Sequence, residues 1–252
     1  MDLEFVRLLH VQRDIYRLPR GMERFRAYLR TMVDAGSGDL ELPLVAMNPM
    51  GKEHVPAMLD LLLNMGADDL GEAAVASAAP GLVDVPGRFR VGLVVADDLK
   101  GGWTNRWASE LGHRQGSPPL HKRGWAVGLL WTSEPEPTQA AVHEEVLTAI
   151  YRAAHVQQHG VPTSLEQLLA QEGTAMARAG CTTPALEPDD LEYTREVIAP
   201  LLDRSDHAAL MPCLFGDEAA HALGYPPQGL SARAGLALAL HAARHGQAVT
   251  RD

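Results

Sequence analysis

RVGLVVADDLKGGWTNR, residues 90–106, is the stretch on which the fold turns. Residues 90–96 are nearly all apolar, as expected of a strand covered on both faces. Asp97 and Asp98 follow at once, then Lys100, the pair Gly101-Gly102, Trp103, Thr104, Asn105 and Arg106. In open α/β sheets, ligands bind beyond the carboxyl ends of strands. A dense polar loop at such an end is therefore both a strand terminator and a candidate site.

Two other segments read like residues 90–96. WAVGLLW (125–131) is a second apolar run, and ELPLVAM (41–47), ended by Asn48-Pro49, is a third. Helical spacing accounts for most of the rest. Residues 3–17 place Phe5, Leu8, Leu9, Gln12 and Ile15 on one face, and after Pro19 and Gly21 the pattern resumes over 22–33. Residues 55–79, 104–114 and 139–158 read as helices, the last stopped by Gly160 and Pro162. So do 164–179, 189–203, 206–223 and 231–245, with turn signals at Gly180, Pro184, Pro188 and Pro226-Pro227.

Strands followed by helices in the middle, with helices at both ends, predict an α/β class. The expected architecture is a mixed or parallel central sheet of few strands, helix-rich, with helical N- and C-terminal additions. The expected organisation is a helical N-terminal segment (1–34) packed on the body, an α/β core (40–160) and a helical C-terminal part of the same domain (161–252).

Composition narrows the function classes. The chain has 252 residues, 46% of them hydrophobic, and a formal net charge of −10. No apolar run of the length of a membrane span is present, so no membrane partner is expected. The opening residues, MDLEFVRLLH, are charged and lack a signal-peptide core, which predicts a cytoplasmic protein. Cys181 and Cys213 are then reduced thiols. The acidic balance argues against nucleic acid, which needs a basic footprint. The charge is uneven: residues 1–30 hold Arg7, Arg13, Arg17, Arg20, Arg24, Arg26 and Arg30 against Asp2, Glu4, Asp14 and Glu23. A contact with an acidic surface, within the chain or on a second subunit, explains that bias.

The candidate chemistry gathers in loops. Asp97 and Asp98 are candidate bases or metal ligands, and Lys100 with Arg106 a candidate anion clamp, aided by Asn105. If residues 104–114 are helical, Arg106, Glu110 and His113 or Arg114 share a face through i,i+4 and i,i+3 spacing, which makes Glu110 and His113 candidate proton carriers. The turn Asn48-Pro49-Met50-Gly51-Lys52-Glu53-His54 leads into a helix, so Asn48, Lys52 and His54 form a second anion-binding candidate. Thr132-Ser133-Glu134 presents hydroxyls after the run 125–131. On the helix 139–158, His155 and His159 are one turn apart and can share a metal if a third ligand comes from elsewhere. There is no P-loop, no GxGxxG after a strand and no GxSxG elbow.

These features predict an enzyme, hydrolytic or metal-assisted, acting on a small anionic molecule at loops following the strands. A divalent metal is compatible with the ligand set. The competing expectation is a non-catalytic binding or assembly protein, a homo-oligomer whose basic N-terminus docks on an acidic face.

Overall fold

The computed structural model describes residues 1–33, 36, 38, 41–99, 104–115, 118–247 and 249, without side chains at 118 and 119. The order is β1 (Asp2–Phe5), α1 (Leu8–Tyr16), α2 (Met22–Met32), α3 (His54–Asn64), α4 (Ala67–Ala78), β2 (Arg88–Ala96), α5 (Arg106–Arg114), α6 (Pro118–Lys122) and β3 (Trp125–Trp131). It continues with α7 (Gln139–His159), α8 (Leu165–Ala179), α9 (Pro188–Ile198), α10 (His207–Phe215), α11 (Asp217–Leu223) and α12 (Ala234–His245). This is an α/β fold, rich in helix, around a small parallel sheet of order β1-β2-β3. No helix among the described residues is long and apolar enough to cross a membrane.

The chain divides into two compact units, Met1–Ser109 with Pro119–Ile150, and Glu110–Pro118 with Tyr151–Asp252. In the first, β2 is central and β3 is buried along its whole length, which is why both are apolar runs. β1 is an edge strand. Asp2 and Glu4 are exposed on it, and both pair with Arg88 of β2. The reading of 3–17 as one helix is corrected here, since the chain pairs as a strand before α1 begins at Leu8.

β1 pairs with β2 only as far as Val91, apart from the bond of Val6 N to the Val91 carbonyl. Further along β2, Gln12 of α1 takes over. Its amide donates to the Val95 carbonyl at 3.0 Å and accepts from Val95 N at 2.8 Å. This is why a glutamine sits fully buried on an otherwise apolar face. Glu145 of α7 has the matching role on β3, accepting from Leu129 N at 3.0 Å.

Residues 41–47 do not form the expected strand. Leu44, Ala46 and Met47 are buried, but the backbone turns on itself, with Leu44 N bonded to Leu42 O and Met47 N to Leu44 O. Side chains donate to three of the carbonyls: Tyr28 to Leu44, Thr104 to Ala46 and Trp125 to Glu41. Burial here comes without pairing, and an apolar run alone does not distinguish the two.

Two of the N-terminal arginines pair with acidic side chains of other helices. Arg7 pairs with Asp69 and Glu72, and Arg13 with Asp60, so α1 docks its basic side on α3 and α4 of the same unit.

The second unit is helical, with Leu168, Leu169, Ile198, Leu210, Leu214, Phe215, Leu236 and Leu240 in its core. Two of its helices touch through backbone: a Cβ on Gly235 of α12 would lie 1.9 Å from the Cys213 carbonyl oxygen of α10. Neither backbone can yield cheaply, so Gly235→Ala is expected to destabilise the protein by about 3 kcal/mol, as overpacking does. Gly112→Ala in α5, where a Cβ meets nothing within 4 Å, is expected to stabilise by about 0.5–1 kcal/mol instead. Urea unfolding of both variants checks this, and equal midpoints would refute it.

Candidate functional site

β2 ends at Ala96, so Asp97 is the first residue beyond the carboxyl end of the central strand. It is 2% exposed and its carboxylate is enclosed by donors. Asn48 Nδ2 donates to Oδ2 at 2.7 Å, and His54 Nε2 lies 2.7 Å from Oδ1. Leu99 N and the Thr132 hydroxyl reach Oδ1 at 3.3 and 3.2 Å.

Asn48 is itself held. Asn48 Oδ1 accepts from Met50 N at 2.9 Å, an Asx turn that orients its amide nitrogen toward Asp97. The Asn48 carbonyl accepts from the buried Tyr16 hydroxyl of α1. Burial, and then the charge of Asp97, push the Tyr16 phenol well above its ordinary pKa, so it stays a donor. His54 opens α3 and its side chain is 16% exposed. A carboxylate opposite Nε2 makes that nitrogen the protonated one and leaves Nδ1 with the lone pair. Nδ1 is buried and has no hydrogen-bond partner among the described residues.

Asp98 ties β2 to β3. Its Oδ1 accepts from Ser133 N at 2.9 Å and from the Thr132 hydroxyl at 3.1 Å, and its Oδ2 from the Ser133 hydroxyl at 2.5 Å. Arg106 completes this side. Nη1 donates to Ser133 Oγ at 2.9 Å and lies 3.8 Å from Asp98 Oδ2, while Nη2 bonds Glu134. The guanidinium lies over the rings of Trp107 and Trp131, 5.1 and 5.6 Å from their centroids.

Asn48, His54, Asp97, Asp98 and Arg106 are thus joined with Thr132, Ser133 and Glu134 by one hydrogen-bonded network in the first unit. Other candidates have different places. Asn105 accepts from Ala108 N at 3.0 Å and caps α5. Lys52 is exposed. Lys100 lies outside the described residues, as does Trp103. Glu110 is a member of a separate network in the second unit, paired with Arg114 and Arg233. His113 is half-buried on the same helix. His155 and His159 have ring centroids 4.5 Å apart, and burial followed by His159 lowers the His155 pKa. Among the described residues no group of three or more His, Cys, Asp or Glu is placed to hold a metal ion.

The sequence reading left out Tyr16. Its signal was position: it follows Gln12 by one turn on the buried face of α1, and a buried phenol needs a partner.

No family model matches the chain, and no solved structure does. The chain is similar to a Bacillus subtilis (strain 168) protein described as uncharacterized protein YjfC, 35% identical over 78 residues. That stretch is 31% of this chain and 26% of the relative, so the match spans about a quarter of the relative's length.

Proposed function

We propose that the first unit is a hydrolytic enzyme acting on a small anionic molecule, with His54 as the group that moves the proton. One observation carries this reading. His54 is oriented through Nε2 by the buried Asp97, and its other nitrogen is buried with no partner among the described residues. Most buried polar atoms in folded proteins are hydrogen-bonded, so an unsatisfied buried nitrogen calls for a reason.

The chemistry follows from the tautomer. Nδ1 accepts a proton from a water molecule, and the resulting hydroxide attacks an acyl or phosphoryl centre. The imidazolium formed is stabilised by the Asp97 carboxylate, as in other histidine–carboxylate pairs. His54 then returns the proton to the leaving group, so the ring is restored each turnover. Thr132, Asn48 and Tyr16 keep Asp97 in place and touch no reacting atom.

A thermal-shift panel of small carboxylates, inorganic phosphate, nucleotides and divalent cations tests the reading, followed by ester, amide and phosphoester substrates. A ligand at about 100 times its Kd is expected to raise the midpoint by roughly 5–10 °C. His54→Gln is expected to keep that rise and lose turnover. A flat panel together with no turnover on any substrate class would overturn the proposal.

A further inference from the structure

Arg106 is the cation best prepared to receive a ligand in this network. Its side chain is 15% exposed, its plane is fixed over Trp107 and Trp131, and Ser133 holds one arm of its fork. The other arm is held by Glu134, which lies on the loop after β3 and is 45% exposed at its side chain. An immobilised guanidinium gripping a carboxylate from a solvent-accessible loop has the geometry of a receptor occupied by a substitute.

We propose that Arg106 receives the carboxylate group of the substrate, and that Glu134 holds its place until the substrate displaces it. This rests on the proposed enzyme reading and gives its anion a chemical class. Charge supports a carboxylate over a phosphate. Asp98 Oδ2 lies 3.8 Å from Arg106 Nη1, and the Asp98 carboxylate is itself fixed by its bonds to Ser133 and Thr132. Exchanging one carboxylate group for another leaves the charge at the guanidinium unchanged, while phosphate concentrates its charge on one tetrahedral group beside Asp98 and adds a repulsion that the single guanidinium does not offset.

Succinate and inorganic phosphate are the probes, with binding measured by calorimetry on the full chain. Glu134→Ala removes the internal competitor, so its succinate Kd is expected to fall about three- to tenfold below that of the unaltered protein. Arg106→Lys keeps the charge and loses the fork, and is expected to weaken succinate at least about tenfold. Circular dichroism confirms that each variant is folded. Phosphate is expected to bind weakly to all of them. Unchanged succinate affinity in Glu134→Ala, succinate binding indifferent to Arg106→Lys, or phosphate binding as tight as succinate would each overturn the carboxylate assignment. Hydrolytic turnover that depends on His54 but not on Arg106 would reject this inference and leave the enzyme reading standing. Loss of the His54 dependence would reject the enzyme reading instead.

Discussion

Glu172→Gln is expected to destabilise the protein by about 3–5 kcal/mol, the range for breaking a buried ion pair from one side. At this chain length that corresponds to a fall in Tm of roughly 10 °C. Glu172 is 0% exposed at its side chain. Arg152 grips both its oxygens, Nε at 2.6 Å and Nη2 at 2.9 Å, and Arg114 bonds it as well. Gln171 adds a donor at 3.1 Å. Burial by itself would raise this carboxyl's pKa, but the charges of Arg152 and Arg114 outweigh it and hold the pKa down at about 2. A glutamine presents one oxygen to two guanidinium groups and its amide nitrogen faces one of them, so a buried cation loses its partner. The pH dependence has a definite sign. Because the folded pKa lies below the unfolded value, Glu172 stabilises the fold above about pH 4.5 and progressively loses that contribution as pH falls toward 2. Scanning calorimetry is expected to show an acid limb in the unaltered protein that is shallower in Glu172→Gln. A variant within about 1 kcal/mol of the parent at pH 7 would refute the assignment.

What was legible in the sequence was whatever is written locally. β2 from Val91 on and the whole of β3 are continuous apolar runs because both their faces are buried, and a run survives any choice of partner. β1 has four residues, and Leu3 and Phe5 fit a helical spacing as well as an alternation. Only the register with β2 distinguishes them, and register is not local. Residues 41–47 show the converse, burial whose hydrogen bonds go to side chains from distant elements. The site divides the same way. Strand-end position pointed to Asp97, Asp98 and Arg106, and the turn before α3 pointed to Asn48 and His54. That the two groups meet through Asp97 and His54 is a contact across 43 positions, and nothing in either loop foretells it. Helical spacing correctly placed Glu110 beside Arg114, four residues on, but it carried no sign of Arg233. Arg233 has a left-handed φ of 58° and caps α12, a conformation unusual for a residue with a side chain. Its bond to Glu110 at 3.1 Å shows what that conformation accompanies.

Asp97→Asn tests the site more sharply than removal of His54, because it exchanges one carboxylate oxygen for an NH2 and changes little volume. The aspartate accepts at both oxygens, from Asn48 at one and from His54 at the other. Asparagine accepts at only one, so one neighbour must face an amide NH2. Asn48 cannot turn its amide round to comply, because its Oδ1 is engaged by Met50 N at 2.9 Å. The oxygen of the substituted amide therefore goes to Asn48, and its nitrogen faces His54 Nε2, with the long 3.3 Å bond from Leu99 N given up and the Thr132 hydroxyl turned to Asp98. His54 must then accept at Nε2 and carry its proton on Nδ1, the nitrogen that the proposed mechanism needs as a base. The expected result is a change of tautomer in the ¹⁵N spectrum of labelled histidine, with Nδ1 passing from the unprotonated to the protonated range. Turnover is expected to fall about 1,000- to 10,000-fold, as for wrong-tautomer variants of histidine–carboxylate pairs. KM is expected to hold, since Asp97 touches no substrate. Adding Asn48→Ala to Asp97→Asn gives the complementary result: with that constraint gone, the new amide can turn its oxygen back to His54 and restore the original tautomer. Unchanged histidine shifts in Asp97→Asn would show that Asp97 does not set the tautomer. Changed shifts with full turnover would show that His54 is not the base.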